Sequence, residues 1–269
     1  MQHKLLQIKA NRQDITDWVI HWTHRQYIGK KAQPSWEILK EILKCGYLKP
    51  SKAPRPVDTL MGWENFNTIR GNSPAVCFSE QPLSAFIASF LNDSSRYPGS
   101  AIAFEKQHLF QYGGRPAIYG DEDLLNRLHD IDKHLWVKYS PLSESSRNYS
   151  VDWTHEREWR ARVNVCVFPG FGPTPEEGVP LVLPPINIDG KSLISLPQIL
   201  VINSSLAEDL RRWLKAIPEY KGTNYYIKYL HEHYNELKII PLDIVYDKMK
   251  DGDERWSRLE TIPFDDILK

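Results

Sequence analysis

The chain carries, at residues 152–160, the stretch Asp-Trp-Thr-His-Glu-Arg-Glu-Trp-Arg. Glu156 and Glu158 stand two positions apart at the start of a run that alternates bulky or apolar residues with polar ones. This alternation predicts a half-buried strand over residues 159–167, and side chains two positions apart on a strand point to the same face. We therefore expect the two carboxylates to lie together beside a cleft. The alternative is a structural ion pair with a nearby arginine, the candidates being Arg157, Arg160 and Arg162.

Composition favours one globular unit. The 269 residues are 41% hydrophobic and 12% aromatic, which is enough to build a large core, and we expect a single domain over residues 1–269. Lys plus Arg equals Asp plus Glu at 34 each, so the net charge of zero gives no general attraction to nucleic acid or to a membrane.

The three cysteines indicate a reducing compartment. Cys45, Cys77 and Cys166 lack the spacing of metal ligands and lie in apolar settings, so we expect buried free thiols. The first ten residues lack the apolar run of a secretion signal, and no segment approaches the roughly 20 apolar residues needed to span a bilayer. These features predict a cytoplasmic protein that does not insert into a membrane.

Short strands and helices alternate in the first half of the chain. Apolar runs predict strands over 18–22, 75–78, 101–104 and 116–119, and helical periodicity predicts helices over 35–45, 82–91 and 124–135. Ser35 is a candidate N-cap and Gly46 a candidate stop for the first of these helices, and Gly113-Gly114 is expected to mark the bend between the last two strands. The region 49–74, rich in Pro, Gly and Asn, is predicted to be a long loop that could serve as a lid.

The C-terminal third is predicted to follow a β-α-α-β order. A buried strand over 199–202 precedes a helix that Asn203 or Ser204 caps and that ends near residue 216, followed by a helix over 224–235 and a strand over 238–245. The charged segment 251–269 is expected to pack loosely.

Polar side chains stand at the ends of two predicted strands. His21 and Thr23 would project to one side of the first strand, and Ser79 ends a later one. Two of them have a structural interpretation: His21 as a satisfied histidine and Ser79 as a helix cap. Their order along the chain, with a glutamate on a still later strand, makes them informative.

In this order the motifs resemble those of the ADP-ribosyltransferase superfamily. The stretches that carry the resemblance are His21-Trp22-Thr23, Val76-Cys-Phe-Ser-Glu-Gln-Pro-Leu83 and Glu156-Arg-Glu-Trp-Arg160. More narrowly, they look like AbiGi-like abortive-infection proteins and, more distantly, DarT-type DNA ADP-ribosyltransferase toxins. The likeness covers residues 17–167 and leaves 168–269 as a C-terminal extension. It implies an α+β fold with a split β-sheet core and flanking helices, and a cleft for nicotinamide adenine dinucleotide (NAD).

The resemblance also implies roles for individual residues. Glu158 matches the catalytic glutamate, which would accept a hydrogen bond from the ribose 2′-hydroxyl and stabilise positive charge on the anomeric carbon as nicotinamide leaves. Glu156 matches a position that orients the acceptor in some members. His21 and Thr23 match positions that hold the ribose or the amide, and Ser79 matches a hydroxyl beside the nicotinamide.

The resemblance leaves the identity of one arginine open. An arginine is expected at the diphosphate, and Arg70 and Arg115 are the two candidates. No metal is expected, since His231 and His233 lie two positions apart on a predicted helix and cannot share a ligand face.

The expected function is that of an NAD-dependent ADP-ribosyltransferase from a prokaryotic toxin or anti-phage defence system. The acceptor would be a macromolecule, with nucleic acid slightly favoured over protein, and an antitoxin or immunity partner is possible. An NAD glycohydrolase is one alternative. The other is a catalytically inactive module of a defence system that binds a nucleotide or a partner.

Overall fold

A computed structural model describes most of the chain. The described residues are 16–23, 26–28, 31–50, 55–56, 65–66, 69–71, 73–92, 99–139, 154–163, 167–168, 172–173, 178–188 and 191–263. Most of the predicted lid at 49–74 therefore lies outside them. Within the described part, no helix is long and apolar enough to cross a bilayer.

A seven-stranded mixed sheet organises the described residues. Its strands, in chain order, are β1 (Trp18–Trp22), β2 (Ala75–Ser79), β3 (Ser100–Glu105), β4 (Arg115–Pro116), β5 (Glu158–Arg162), β6 (Gln198–Val201) and β7 (Lys238–Pro241). Across the sheet the order is β7-β6-β3-β1-β2-β5-β4. Neighbours are antiparallel except β6 and β7, which are parallel. The α+β class is confirmed, and the 168–269 part of the chain contributes two strands to the central sheet.

Seven helices accompany the sheet in the described residues. They are α1 (Ser35–Cys45), α2 (Leu83–Asn92), α3 (Lys106–Tyr112), α4 (Glu122–Arg127), α5 (Ser204–Ala216), α6 (Tyr225–Glu232) and α7 (Leu242–Lys250). Short 3₁₀ turns cover Lys133–Leu135, Thr154–Glu156, Tyr234–Glu236 and Glu254–Ser257.

Among the described residues, six small strand pairs lie outside the central sheet. Five are antiparallel: Gln26–Ile28 with Lys31–Gln33, Tyr47–Leu48 with Val179–Pro180, Arg55–Pro56 with Asn65–Phe66, Val167–Phe168 with Gly172–Pro173, and Ile186–Ile188 with Lys191–Leu193. The sixth, Ile118–Gly120 with Trp136–Lys138, is parallel.

The sheet is almost divided between β1 and β2. β1 pairs with β3 along its whole length, from Trp18↔Glu105 to Trp22↔Ala101, whereas β1 and β2 share the single pair Ile20↔Ser79. Two half-sheets result, one of β4, β5 and β2 and one of β1, β3, β6 and β7. All seven strands nevertheless belong to one hydrogen-bonded sheet, and the split core stays a prediction.

Each face of the sheet has its own hydrophobic cluster. The first face carries Val19, Phe78 and Trp159 and packs against α1, α3, α5 and α6. The second face carries Ile20 and Trp22 and packs against α2, α7 and the segment 254–262. Because side chains alternate along a strand, neighbouring residues on β1, β2 and β5 face opposite clusters.

Several predicted elements were wrong because apolar runs do not distinguish a strand from a buried helix. Residues 242–245 begin α7 instead of extending a strand from 238, and α3 fills the interval that was predicted to lead directly from one strand to the next. Gly113, with φ 117°, ends that helix. The segment 251–263 does not pack loosely. Its buried side chains belong to the second-face cluster and are Trp256, Leu259 and Ile262.

Other differences are local. The helix predicted over 124–135 ends at Arg127, since an Asp-rich turn follows it. Pro34 and not Ser35 occupies the N-cap of α1, whereas the predicted stop at Gly46, with φ 77°, is confirmed. The predicted strand over 116–119 consists of two short strands in different sheets, and that over 159–167 is interrupted after Arg162.

Glu80 connects the two half-sheets through its carboxylate. Lys106, at the start of α3 beside β3, donates to Glu80 Oε1 (2.8 Å), and the indole of Trp159 on β5 donates to Glu80 Oε2 (2.6 Å). Both charged side chains are largely buried, with 19% and 16% of their surface exposed. The two half-sheets share one backbone pair, and the Glu80 carboxylate therefore provides a second connection between them.

Replacing Glu80 by Gln should destabilise the fold. We expect the free energy of unfolding to fall by about 2 kcal/mol, less than the roughly 3–5 kcal/mol for breaking a fully buried pair. Glu37→Gln, which breaks the more exposed pair with Lys40, is the control and should cost about 0.5 kcal/mol or less. Denaturant unfolding measures both, and equal losses would contradict the connecting role of Glu80.

Candidate functional site

Glu158 opens β5 directly beside the point where the half-sheets meet. Its cross-strand partner is Ser79, the same residue that pairs with Ile20 of β1. Register therefore puts Glu158, Ser79 and Ile20 in one row, and all three point to the second face. The Glu158 side chain is 11% exposed. The predicted carboxylate thus lies at the junction of the two half-sheets.

A buried arginine orients the Glu158 carboxylate. Arg160 Nε donates to Glu158 Oε1 (2.8 Å), and Arg160 Nη1 donates to the carbonyls of His134 and Trp136 (2.8 Å each). Burial opposes the charge of Arg160, but the nearby Cys77 and Glu158 raise the pKa of the guanidinium above its usual value. Within the described residues, no group donates a hydrogen bond to Glu158 Oε2. One oxygen is fixed and the other can accept a hydrogen bond.

Tyr119 is a member of the site that the sequence analysis did not single out. Its hydroxyl accepts a hydrogen bond from the backbone N–H of Glu158 (2.8 Å). Burial, together with the negative charges of Glu158 and Glu156, raises the pKa of Tyr119 to about 12. A tyrosine in an apolar stretch carries no sequence signal for such a role, because only the fold brings residue 119 to residue 158.

Glu156 and Glu158 do not share a strand face, contrary to the prediction. Glu156 ends the 3₁₀ turn Thr154–Glu156, and Arg157 follows with φ 46° before β5 begins. The backbone reverses at Arg157, whose carbonyl accepts from the Glu80 N–H (3.1 Å). The two carboxylates nevertheless lie on either side of one turn, and both act on the pKa of Tyr119.

Ser79 is close to the site, but its hydroxyl is occupied. Ser79 Oγ donates to the carbonyl of Glu156 (2.7 Å), and the side chain is buried. This bond ties the turn before β5 to the end of β2. Ser79 therefore shapes the site, and the structure does not present its hydroxyl to a ligand.

His21 and Thr23 do not converge with Glu158. His21 alternates with Ile20 and packs edge-on against Phe78 (5.8 Å between ring centres), on the face opposite to Glu158. Its Nδ1 donates to the Cys77 carbonyl (2.9 Å), so the imidazole spans the gap between β1 and β2. Thr23 is buried and donates to the Ser100 carbonyl (2.8 Å). The expected grouping of these side chains around one ligand is thus not found in the described geometry.

The structure separates the two candidate arginines. Arg115 Nη1 donates to the carbonyls of Phe110 and Gly114 (2.7 Å each), and its guanidinium lies 3.9 Å from the centre of the Phe110 ring. Arg70 lies over the Trp136 ring (5.7 Å), and its buried Nε has no hydrogen-bond partner among the described residues. Arg70 is therefore the better candidate for binding an anion.

Arg70 also lies near the Glu158 network. Trp136 is the residue whose carbonyl holds Arg160, so both arginines contact it. Arg70 also makes a long ion pair with Glu122 (3.7 Å). Among the described residues, no three side chains of His, Cys, Asp or Glu come together as a possible metal site.

The turn at Arg157 predicts a specific response to substitution. Arg157→Ile should lower the free energy of unfolding by roughly 1–2 kcal/mol, since a β-branched side chain is strained at positive φ. Arg157→Gly is the matched control: it also removes the guanidinium, but it adopts this conformation without strain, so the change should stay within about 1 kcal/mol. Equal thermal and denaturant stabilities of the two variants would contradict the turn geometry.

The raised pKa of Tyr119 predicts a dependence of stability on alkaline pH. The folded protein holds the phenolic proton more strongly than the unfolded chain, so this contribution is complete below the ordinary pKa of 10.0 and is lost as the pH rises to about 12. Denaturant unfolding between these pH values should therefore show a steeper loss of stability for the wild type than for Tyr119→Phe. Parallel profiles would contradict the assignment.

Comparison of the chain with protein-family models, with curated proteins and with solved structures found no match. Support for a function therefore comes from the geometry of the site and from the order of its motifs along the chain.

Proposed function

We propose that this chain is an NAD-dependent ADP-ribosyltransferase in which Glu158 is the catalytic carboxylate. The observation that carries the proposal is the position of Glu158. Its cross-strand partner is Ser79, the residue that also forms the one backbone pair between the two half-sheets. Topological switch points of sheets are common places for ligands, and Glu158 lies where the pairing between neighbouring strands is shortest. The resemblance of the motifs to the superfamily supports the same assignment.

The chemistry requires a carboxylate with one oriented oxygen. In the transfer, the bond between ribose C1′ and the nicotinamide nitrogen breaks with its electron pair moving to the nitrogen. The acceptor atom bonds to C1′ and releases its proton to solvent. Glu158, held through Oε1 by Arg160, would stabilise the positive charge at C1′ and accept a hydrogen bond from the 2′-hydroxyl through Oε2.

Arg70 would bind the diphosphate. A guanidinium matches two phosphate oxygens in a bidentate arrangement, and Arg70 keeps a buried N–H donor without a partner among the described residues. In Arg115, two of the five N–H donors are already used by the carbonyls of Phe110 and Gly114. Of the two arginines that the sequence left open, Arg70 is the one we propose.

The acceptor is proposed from the resemblance alone. We propose a macromolecule, with nucleic acid ahead of protein, and a role in a prokaryotic toxin or defence system whose antitoxin or immunity partner would restrain the activity. Water as the acceptor would make the same site an NAD glycohydrolase.

A second candidate is a binding module without catalysis. The observation that favours it is the Glu158–Arg160 ion pair, together with the commitment of Ser79, Thr23 and His21 to internal hydrogen bonds. In this case Glu158 stabilises the start of β5, and the site recognises a nucleotide or a partner without breaking a bond.

Nicotinamide release distinguishes these candidates. The wild type should liberate nicotinamide from NAD, and Glu158→Gln should lower the rate by about 10²-fold or more, since the amide keeps an acceptor for Arg160 but loses the charge. Glu105→Gln is the matched control, because Glu105 is a strand-end carboxylate paired with buried His108 in the other half-sheet. It should retain activity. Circular dichroism would check that both variants fold.

The product then identifies the acceptor. NAD labelled in its adenylate part should transfer label to DNA, RNA or lysate protein if the chain is a transferase, whereas nicotinamide release without transfer indicates a glycohydrolase. A wild type that binds NAD but releases no nicotinamide would favour the binding module and refute both enzymatic assignments.

A further inference from the structure

Tyr119 presents a hydrogen-bond donor beside the Glu158 carboxylate. Its strand, Ile118–Gly120, is paired with Trp136–Lys138, the segment whose carbonyl at Trp136 also holds Arg160. The Tyr119 hydroxyl is 2.8 Å from the Glu158 backbone nitrogen. The same short pair of strands therefore positions the phenol and anchors the guanidinium that orients Glu158.

The hydrogen-bonding capacity of this hydroxyl is only partly used. A phenol has one proton to donate and lone pairs to accept, and the Glu158 N–H occupies a lone pair. No described residue accepts the Tyr119 proton, and none donates a hydrogen bond to Glu158 Oε2. The phenol lies against the Glu158 backbone, and the Glu158 charge acts on its pKa, so an unused donor and an unused acceptor belong to the same site.

We propose that Tyr119 and Glu158 bind one sugar hydroxyl between them, the phenol donating to its oxygen and Glu158 Oε2 accepting its proton. A hydroxyl is the ordinary group that donates and accepts at once, so this pair matches it in both senses. The inference rests on the proposed function, under which the group is the 2-hydroxyl of the ribose that carries nicotinamide. It adds Tyr119 as a substrate-binding residue.

The two partners cannot exchange roles near neutral pH. The burial and the two neighbouring carboxylates that raise the pKa of Tyr119 to about 12 keep its proton in place, so the phenol stays a donor. Arg160 donates to Glu158 Oε1 and fixes the orientation of the carboxylate, which leaves Oε2 as the acceptor. A fixed donor and a fixed acceptor together favour a ligand that carries a hydroxyl at this position. A deoxy ligand, with a hydrogen atom in its place, satisfies neither group.

Such a site should discriminate strongly against a deoxy ligand. When a ligand lacks the hydroxyl, both Tyr119 and Glu158 lose a partner in a partly buried place, which is costly. A purely structural Tyr119, which only satisfies the Glu158 N–H, would make no distinction between the two ligands. Ligand selectivity, and not stability, is the property that separates the two roles.

Calorimetric binding of the reaction product tests the inference without catalysis. The ligands are ADP-ribose and its analogue without the 2-hydroxyl of the terminal ribose, and the proteins are the wild type, Tyr119→Phe and the control Tyr229→Phe on α6. We expect Tyr119→Phe to weaken ADP-ribose binding by about tenfold or more and to leave the already weak binding of the analogue unchanged. Tyr229→Phe should match the wild type for both ligands.

Three other results would overturn the inference. Equal weakening of both ligands by Tyr119→Phe would make Tyr119 structural, and unchanged ADP-ribose binding would remove it from the site. In both cases nicotinamide release by the wild type would leave the proposed function standing. A wild type that neither binds ADP-ribose nor releases nicotinamide would refute the proposed function and the inference together.

Discussion

The arrangement of the two half-sheets depends on the two hydrogen bonds that the Glu80 carboxylate accepts. The backbone joins them through Ile20↔Ser79 alone, and Glu80 adds a bond to Lys106 on one side and to Trp159 on the other. Since Trp159 adjoins Glu158, the position of the candidate catalytic carboxylate follows from the same contact. The charged pair is largely buried, so breaking it leaves a charge without its partner and costs more than a surface pair would.

One face of β5 packs into the hydrophobic core, and the opposite face forms the candidate site. Trp159 belongs to the first-face cluster and supplies stability, whereas Glu158 and Arg160 point to the second face and form the site. The alternation of a strand makes this division possible within three residues. The cost is a buried guanidinium, which the carbonyls of His134 and Trp136 offset by accepting its hydrogen bonds.

Sequence patterns predicted the elements whose ends carry strong local signals. Helix α1 was predicted with both of its bounds, since Gly46 supplies the left-handed stop. Helix α7 was missed, because its apolar β-branched residues satisfy the pattern of a strand as well. The segment 251–263 was misjudged for a different reason: its charges suggested exposure, yet Trp256 is fully buried against the second face.

The sequence by itself determined the α+β class, the order of the motifs and Glu158 as the carboxylate of interest, because periodicity and residue type are local properties. Only the tertiary structure decided which side chains meet. Register placed His21 and Glu158 on opposite faces, brought Tyr119 to the Glu158 backbone and gave Arg160 its buried carbonyl partners. These contacts join residues far apart in the chain, and a pairing of that kind follows from how strands align and twist across the sheet, which no local pattern encodes.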